Sequence, residues 1–372
     1  MSAMEHRQSS SLSKRRVLLV HNAPSRFVQV DCELLAKSYV VSRRFERSPW
    51  KLRPMEIYRE VARHDLVFCW FASWHSLLPV LAARCLGKPC VVAVGGFDTA
   101  SVPQAGYGSQ RGGMRRLLAR TVMRTATHLL VNSASARAET VGSVGIPGKK
   151  ISLVYHGVAC SPQAPPEKRK RMALTVGGVK RESLLRKGLL PFVQAAKFLP
   201  DVRFVHAGAW LDDSISKLRQ EAPPNVEFLG FVSDQSLTQL YSEASAYIQA
   251  SLHEGFGMSL AEAMAGGCIP VVTRCTALPE VAGDSGIYIA EASPKAIAAG
   301  VAAALDCNYA QRIGAHHRIL EMFSLAQREQ GLRRVFNRLL GDDIPSLANS
   351  DSPQALQEQS ALRQDKVAAL PS

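Results

Sequence analysis

Short runs of apolar, β-branched residues alternate with helical stretches along most of the chain, and this alternation constrains the fold more than any other feature. In the first half the predicted strands are Val17–His21, Leu66–Trp70, Cys90–Val94, His128–Asn132 and Ile151–Tyr155. The helical patterns between them are Ser76–Leu86, Met114–Thr125 and Ser135–Ser143. Strands that alternate with helices form mostly parallel sheets covered by helices. The first half therefore predicts a layered α/β domain.

The alternation stops once and then restarts. The segment Ala159–Lys170 is rich in Pro, Lys and Arg, which is typical of a linker. The strands predicted beyond it are Ala173–Val176, Arg203–Ala207, Val226–Leu229, Ala246–Gln249, Ile269–Val272 and Gly286–Ile289. The helical patterns there are Leu189–Phe198, Ser214–Glu221, Gln235–Ala244, Leu260–Ala265, Pro294–Leu305 and a last one over Gln311–Leu340. The restart predicts a second unit of the same kind.

We therefore predict an α/β fold of two Rossmann-like, doubly wound domains that face a central cleft. The first domain covers residues 1–160 and the second covers residues 161–325. A C-terminal helix over residues 326–341 is expected to pack back toward the first domain, ahead of a disordered tail over residues 342–372. Because doubly wound sheets bind ligands beyond the carboxyl ends of their strands, the cleft is the expected site.

The positive charge is confined to the first half. Residues 1–160 carry 23 Lys and Arg against 9 Asp and Glu, whereas the remainder carries 22 of each, so the first half accounts for the whole formal net charge of +14. This asymmetry indicates either an acidic partner, such as a membrane surface, a lipid phosphate or nucleic acid, or a solvated basic surface that aids solubility. No nucleic-acid-binding motif accompanies the charge, so we expect no nucleic-acid partner.

One helical pattern concentrates this charge. Its arginines recur at helical spacing beside apolar residues: Arg115, Arg116, Arg120 and Arg124 beside Leu117, Leu118 and Val122. Such a stripe fits a helix that lies in a membrane interface, although amphipathic core packing explains it as well. Peripheral contact with an anionic membrane is therefore a hypothesis.

The cysteines and the apolar segments indicate the cellular compartment in which the protein is located. Eight cysteines are scattered without a Cys-x-x-Cys pair, which indicates reduced thiols rather than a disulfide framework or a zinc site. The apolar stretch Leu66–Ala83 is interrupted by His75 and Pro79, so a buried strand followed by a helix explains it better than a membrane span. The polar N-terminus lacks the apolar core of a signal peptide. We expect a cytoplasmic protein, or one at the cytoplasmic face of the membrane.

The most informative segment is Ser251–Gly267. A predicted strand ends near Gln249, and a loop punctuated by glycines leads into a helix that is expected to begin about Ser259. Glycines let backbone amides approach a ligand closely, and a helix N-terminus favours phosphate or sugar oxygens. The loop carries Glu254, and the first helical turn is expected to carry Glu262. An alternative is that Glu262 only closes a capping box with Ser259.

Together with other motifs, this segment resembles the Glu-x7-Glu signature of the retaining glycosyltransferases of the GT-B fold, known as family 4 or group 1. The other motifs are Gly177–Val179, Arg186–Gly188, Asn225–Val232, Leu278–Val281 and Gly283–Gly286. The resemblance extends over most of the second half. It implies transfer of a hexose from a nucleotide-sugar to a hydroxyl of a lipid-linked sugar, a polysaccharide or another glycan, with the anomeric configuration retained. It also implies no cofactor and no metal ion. The alternative is an inactive protein of the same fold that only binds a nucleotide-sugar.

The resemblance also implies roles for single residues. Glu254 would bind hydroxyls of the donor sugar, Glu262 would bind the ribose hydroxyls, and Lys187 would neutralise the diphosphate as it leaves. The further donor-binding residues implied are Gly255, Phe256, Gly257 and Met258 in the loop, and Phe231 and Val232 beside the base.

The chain departs from the family pattern at several places. Gly178 stands where the family often has arginine, and Lys180, Arg181 or Arg186 could supply the missing cation. The glycine-rich loop expected after the first strand is replaced by His21–Phe27. The usual histidine near the reacting carbon is absent, and the residues that could serve instead, or line the acceptor side of the cleft, are Gly95, Gly96, Asp98, His75 and His156. Asp98 is the candidate for the polar catalytic role there.

Overall fold

The computed structural model describes residues 14–342, which form two six-stranded parallel sheets. The first sheet has the order β2-β1-β3-β4-β5-β6, with β1 Arg16–His21, β2 Val40–Phe45, β3 Leu66–Trp70, β4 Cys90–Val94, β5 His128–Val131 and β6 Ile151–Leu153. The second has the order β12-β11-β10-β7-β8-β9, with β7 Lys170–Val176, β8 Arg203–Ala207, β9 Val226–Gly230, β10 Ala244–Gln249, β11 Ile269–Thr273 and β12 Ile287–Ile289. The predicted fold class is confirmed.

Helices connect the strands and cover the sheets. In the first half they are α1 Arg26–Ala36, α2 Pro54–Ala62, α3 Trp74–Cys85, α4 Gly96–Thr99, α5 Gly113–Thr125 and α6 Ala134–Glu139. In the second half they are α7 Arg181–Arg186, α8 Leu189–Ala195, α9 Ser214–Glu221, α10 Asp234–Glu243, α11 Met258–Ala265, α12 Leu278–Ala282, α13 Pro294–Leu305 and α14 Tyr309–Met322. The last helix is α15 Leu325–Leu340.

The central strands form because both of their faces are covered. All five residues of β3 and all five of β4 are buried. One face of this sheet packs against α2, α3 and α5, and the other packs against α1 and α15. A strand buried on both faces reads as a continuous apolar run, which is why the sequence pattern predicts β3 and β4 with the observed ends.

The edge strand β2 has no counterpart among the predicted strands. Its sequence contains Ser42, Arg43 and Arg44, and none of its six residues is buried. It pairs in parallel with β1 from Arg16↔Val40 to His21↔Phe45 through backbone hydrogen bonds. An edge strand that carries charged side chains avoids edge-to-edge aggregation but gives no apolar pattern to detect.

The helical pattern predicted over Gln311–Leu340 is two helices rather than one. The chain turns at Phe323, whose ring is buried in the core of the second half, and Ser324 begins α15 by accepting a hydrogen bond from the Gln327 amide at 3.4 Å. At the same turn the Val158 amide donates to the Phe323 carbonyl at 2.7 Å. The chain therefore returns to the first half, because α14 packs against α11 and α15 packs against α1.

Two further expectations concern membrane spans and the tail. Within residues 14–342, no helix is long and apolar enough to cross a membrane. Pro79 lies at the sixth position of α3, beyond its first turn. The tail predicted as disordered lies outside the described residues, apart from Asp342.

Candidate functional site

The loop after β10 and the turn after β7 meet at the carboxyl ends of the second sheet. Gly188, with φ of +65°, is the residue that allows this approach, because a Cβ on it would lie 2.4 Å from the Ala250 carbonyl oxygen. Only glycine fits such a position. The preceding residue, Lys187, is thereby held beside Glu254.

Glu254 is a largely enclosed carboxylate, 13% exposed, between two cations. Its Oε1 lies 3.5 Å from Lys187 Nζ and 3.5 Å from Arg186 Nη1, and Ser251 Oγ donates to it at 3.1 Å. Burial alone would raise the pKa of Glu254, but the charges of Lys187 and Arg186, with hydrogen bonds from Gln249 and Ser251, lower the pKa overall. Glu182 also pairs with Arg186, at 3.2 Å, so the cluster holds two negative and two positive charges.

Arg186 is the candidate cation that lies next to Glu254. Its guanidinium stacks over the Tyr107 ring at 4.3 Å and donates to the His253 carbonyl at 3.2 Å. Because Arg186 is buried and held on several sides, its position is fixed. Tyr107 comes from the first half, and no sequence pattern identified it.

The other two candidate cations have other partners, although Lys180 shares Glu182 with Arg186. Lys180 pairs with Glu182 at 3.0 Å and is 44% exposed, and the exposed Arg181 uses its backbone amide to bind Asp212 at 2.9 Å. Gly178 is covered by Leu211, whose Cδ1 would lie 2.9 Å from a Cβ at that position. A long side chain at residue 178 would displace this cover.

Glu262 occupies a different environment from Glu254. The helix α11 begins at Met258 after Gly257, whose φ is +98°, so Glu262 lies at the fifth helical position rather than in the first turn. The capping-box alternative is therefore wrong, and Glu262 Oε2 instead accepts a hydrogen bond from the Tyr241 hydroxyl at 3.2 Å. Burial raises the pKa of Glu262, and the Arg26 charge partly offsets this.

A cavity of about 390 Å³ opens beside Glu262. It is bounded by α1, by α10, by α11 with Met258 at its start, and by the segment between residues 156 and 166. Arg26 and Phe27 enter it from α1, in place of the glycine-rich loop that the family pattern led us to expect. Their segment was noted as a departure, but its role was not predicted.

His156 lines the same cavity. Its ring stacks parallel to Trp70 with centroids 5.7 Å apart, packs edge-on to Phe256 and bonds to the Asn132 amide at 3.0 Å. Burial lowers its pKa well below the ordinary value. A neutral His156 therefore forms part of the cavity wall between the two halves.

His75 does not face the cleft, which corrects our placement of it among the cleft candidates. It is completely buried at the start of α3, and its Nε2 bonds to the Trp70 carbonyl at 2.7 Å. Burial lowers its pKa to about 4, so the ring is neutral. Such an enclosed ring has no access to a substrate.

Asp98 is also turned into the protein, contrary to the polar catalytic role that we expected for it. Its carboxylate accepts hydrogen bonds from the backbone amides of Gly95 at 2.8 Å and Ala72 at 3.2 Å, and the side chain is buried. Burial raises its pKa to about 7, although both amides act to lower it. Asp98 thus ties the ends of β3 and β4 together.

We predict that Asp98→Asn lowers the free energy of unfolding by about 1–3 kcal/mol, because the new NH2 group faces an amide donor. In the folded protein the pKa of Asp98 is about 7, above its ordinary value of 3.8. The folded protein therefore binds the carboxyl proton of Asp98 more tightly than the unfolded chain does. The stability that this proton confers is lost as the pH rises from about 4 to about 7. Urea unfolding at pH 5 and pH 8 should give a larger difference between wild type and variant at pH 5. A difference independent of pH would contradict the prediction.

Gly95 and Gly96 both allow a close approach, but Gly95 meets Phe71 of its own half and Gly96 meets the other half of the protein. A Cβ on Gly96 would lie 2.6 Å from Gly255 Cα and 2.7 Å from its nitrogen. A Cβ on Gly95 would lie 2.6 Å from the Phe71 ring. The loop after β4 therefore touches the loop after β10, and the cleft is closed at this point.

Gly96→Ala should hold the two loops apart and slow catalysis about 10- to 100-fold, because misplacing a site by about 1 Å costs this much. Steady-state kinetics with saturating donor would measure it. Gly142→Ala is the matched control, since a Cβ there meets no atom within 4 Å. Equal rates for both variants would show that the contact has no catalytic importance.

Two further contacts join the halves near this point. His253 Nε2 lies 2.9 Å from Glu139 Oε1, and Thr99 Oγ1 donates to the other carboxylate oxygen of Glu139 at 2.6 Å. Glu280 accepts hydrogen bonds from the first two backbone amides of α6 at 2.7 and 2.8 Å. His253 directly precedes Glu254, so its position in the motif could have identified it as a site residue. No sequence pattern identified Glu139.

The residues expected beside the base lie away from the cavity. Phe231 follows β9 and is 83% exposed, and Val232 packs partly against the core of the second half. Within residues 14–342, no cluster of three or more His, Cys, Asp or Glu side chains is arranged to hold a metal ion.

Two family models match this chain, one to each half. The model described as Glycosyltransferase Family 4 matches residues 9–161, and the model described as Glycosyl transferases group 1 matches residues 170–307. The two matches adjoin and span most of the chain. The chain belongs to the family 4, group 1 glycosyltransferases.

Curated relatives of this glycosyltransferase include two bacterial proteins. The chain is 29% identical over 202 residues to O-antigen chain mannosyltransferase B of Escherichia coli, which covers 49% of this chain and 52% of that protein. It is 26% identical over 179 residues to O-antigen chain mannosyltransferase RfbU of Salmonella typhimurium, which covers 47% and 50%. The matched part therefore spans about half the length of these relatives.

Solved structures identify the fold. HepE of Anabaena, in complex with UDP and glucose, superposes with a TM-score of 0.70 at 15% identity, covering 87% of this chain and 99% of that chain. Sucrose-phosphate synthase of Thermosynechococcus elongatus gives 0.69 at 17% identity, covering 89% and 100%. The predicted GT-B fold of this glycosyltransferase is confirmed.

Proposed function

We propose that this glycosyltransferase moves a hexose from a nucleotide-sugar to a hydroxyl of a glycan acceptor. The observation that carries the proposal is the cluster of Glu254, Lys187 and the buried Arg186 at the carboxyl ends of β7 and β10. A nucleoside diphosphate gains negative charge as it leaves the sugar. Two cations fixed beside the glycine loop stabilise that charge more in the transition state than in the ground state.

The remaining site residues suit the rest of the donor. The charged Glu254 accepts hydrogen bonds from sugar hydroxyls, and the glycine loop offers its backbone amides to sugar and phosphate oxygens. Glu262 lines the cavity and binds the ribose hydroxyls. Because Lys187 and Arg186 supply the positive charge, we propose that no metal ion is needed.

We further propose that the anomeric configuration is retained. Both oxygens of Asp98 are held by amides, and Glu254 is held by two cations, so neither carboxylate is free to attack the sugar. A front-face reaction fits this arrangement, since the departing phosphate takes the proton from the acceptor hydroxyl. Coupling constants of the anomeric position of the product would distinguish retention from inversion.

The relatives suggest the sugar and the acceptor. Both curated relatives described above are named as O-antigen chain mannosyltransferases, so we propose mannose as the hexose and a bacterial polysaccharide or its lipid-linked precursor as the acceptor. The first domain, residues 1–160, would bind the acceptor. The eight cysteines are free thiols, which supports a reducing compartment, and we propose action at the cytoplasmic face of the membrane.

A thermal-shift screen against UDP-, GDP-, ADP- and TDP-sugars, without metal, tests the donor site. GDP-mannose and UDP-glucose are the first to try. One donor should raise the melting temperature of the wild type, and the shift should be absent in Glu262→Ala. If no donor shifts the melting temperature, the proposal fails. Binding without transfer or hydrolysis would favour the inactive nucleotide-sugar-binding protein instead.

A further inference from the structure

A second cavity opens at the edge of the first sheet that lies opposite the cleft. It has a volume of about 420 Å³ and forms where the ends of α3 and α5 meet the turns that lead into β5 and β6. We call it the basal cavity and define it by its lining residues, Arg84, Arg124, Thr125, Ala126, Thr127 and Lys150. Because the strands are parallel and the loop after β4 lies at the cleft, the length of β4 and β5 separates the basal cavity from the cleft.

Three positively charged side chains from three different elements line the basal cavity. Arg84 lies in the last turn of α3, Arg124 lies in the last turn of α5, and Lys150 lies directly before β6. Lys150 is half-buried, and its Nζ donates to the Arg124 carbonyl at 2.5 Å, which holds the ammonium group in place. Thr125 and Thr127 add two hydroxyl groups, which are able to donate to an anion.

No acidic side chain neutralises these cations. None of the lining residues is acidic, and in the part of the chain that the structure describes no ion pair involves Arg84, Arg124 or Lys150. From β3 to the end of the first half, the acidic residues of the sequence are Asp98 and Glu139. Both are held at the cleft end of the sheet, by the Gly95 amide and by His253 respectively. The basal cavity therefore has charge of one sign.

These like charges lie close enough to affect one another. Burial and the charge of Arg84 lower the pKa of Lys150. Burial, with the charges of Arg338 and Lys150, lowers the pKa of the neighbouring His128 to about 4, so its ring is neutral. Like charges gathered without a countercharge repel one another, and an anion that binds among them removes this repulsion. The arrangement therefore favours an anionic ligand.

Stabilisation of helix ends accounts for only part of this charge. Arginines in the last turn of a helix interact favourably with its negative end, and Arg84 and Arg124 have such positions. Within residues 14–342, however, neither guanidinium group donates a hydrogen bond to a backbone carbonyl, whereas the Lys150 ammonium does. The planar donors of the two guanidinium groups therefore remain open to a ligand in the cavity.

We propose that the basal cavity binds a small soluble molecule that carries a diphosphate group. Guanidinium groups bind phosphate oxygens through paired hydrogen bonds, and a lysine ammonium adds a compact charge. Three cations balance the charge of a diphosphate more closely than that of a single carboxylate. Inorganic pyrophosphate and a nucleoside diphosphate both present this group. Because the cavity lies at the far end of β4 and β5 from the cleft, its ligand does not compete with the sugar donor, and the site stands apart from the proposed transferase activity.

Isothermal titration calorimetry of the full-length protein with inorganic pyrophosphate, without divalent metal ions, tests the proposal. Because pyrophosphate also suits the cations of the cleft, the wild type is compared with Lys187→Ala, which should still bind pyrophosphate in the basal cavity. Arg84→Ala with Arg124→Ala should weaken this binding at least about tenfold, because hydrogen bonds between charged groups are the strong ones. Lys150→Met should weaken it several-fold. Titration with GDP then shows whether a nucleoside adds to the affinity.

Arg115→Glu with Arg116→Glu is the matched control. Both residues are exposed on α5 in the same half of the protein, but neither lines the basal cavity. This double variant changes the net charge more than Arg84→Ala with Arg124→Ala does, yet it should bind pyrophosphate like the wild type. The melting temperature of both double variants should remain that of the wild type, since all four side chains are exposed. Arg84→Lys with Arg124→Lys should retain part of the affinity, because the charge is kept and the paired hydrogen bonds are lost.

Several results would overturn the proposal. Binding that is lost in Lys187→Ala but kept when Arg84 and Arg124 are replaced would place pyrophosphate in the cleft alone. Binding that the Arg115 and Arg116 control weakens equally would reflect net charge rather than the cavity. No binding of pyrophosphate or GDP by the wild type would mean that the cavity holds no diphosphate. The titration with pyrophosphate needs neither donor nor acceptor, so its failure is distinguishable from failure of the transferase proposal.

Discussion

Lys187→Ala is expected to lower the rate of sugar transfer about 100- to 1,000-fold, the usual cost of removing one preorganised charge from a transition state. Lys187 lies 3.5 Å from the largely enclosed Glu254, at a turn that Gly188 holds against β10. The loss should fall mainly on kcat, because the negative charge of the leaving diphosphate is greatest in the transition state. Initial rates at saturating donor and acceptor, with donor affinity measured separately, would separate the two effects.

Lys180→Ala is the matched control for this prediction. Lys180 precedes α7 and Lys187 follows it, and both carry the same charge, but Lys180 is 44% exposed and paired with Glu182. Its removal should change the rate less than about threefold, as surface ion pairs contribute little. If Lys180→Ala and Lys187→Ala lose similar activity, the rate depends on the total positive charge of this segment rather than on one cation placed at the leaving group. If neither loses activity, Lys187 does not neutralise the diphosphate.

The fold could be predicted wherever burial leaves a pattern in the sequence. The strands β3, β4 and β8 were predicted with the bounds that the structure has, because at least four of the five residues in each are buried. The edge strand β2 was missed, because backbone pairing with β1 holds Arg43 and Arg44 in a strand without burying them. The break between α14 and α15 at Phe323 was missed as well. It depends on the packing of the Phe323 ring in the core of the second half, which no local pattern reports.

The site could be predicted only where one segment contains the signal. Glu254 and the glycines around it are close in sequence, and the resemblance of several motifs together linked them to Lys187. The contact of Gly96 with Gly255 joins two halves of the chain, and no local pattern reports how closely two loops approach. The stacking of Arg186 on Tyr107 is another such contact.

Asp98 illustrates how an unassigned acidic residue misleads. In the sequence it follows two glycines at the end of a strand, where the family usually has a polar residue near the substrate. In the structure its two oxygens satisfy the amides of Gly95 and Ala72, which would otherwise be buried without partners. Asp98 therefore serves the backbone rather than the chemistry.

Arg328→Met is expected to destabilise the protein by about 3–5 kcal/mol, because it leaves the buried carboxylate of Asp31 without its countercharge. Both side chains are only 2% exposed, and Arg328 donates to Asp31 at 2.7 and 2.9 Å. Arg328 also donates to the Val154 carbonyl at 2.6 Å, so the substitution leaves this acceptor unpaired. The pair joins α1 to α15, and its loss should release α15 from the first half. Chemical denaturation followed by circular dichroism would measure the change.

Lys37→Met provides a control on the same two elements. Lys37 follows α1 and pairs with Glu329 on α15 at 2.6 Å, but Lys37 is largely exposed. Its loss should cost less than about 1 kcal/mol, because an exposed pair is solvated when it separates. Asp31→Leu combined with Arg328→Met should recover part of the stability lost by Arg328→Met alone, since the isolated charge is then removed. Recovery should be incomplete, because Trp70 Nε1 donates to Asp31 at 3.1 Å and would lose its acceptor. A double variant no more stable than Arg328→Met would mean that the geometry of the pair, rather than its charge, holds α15 in place.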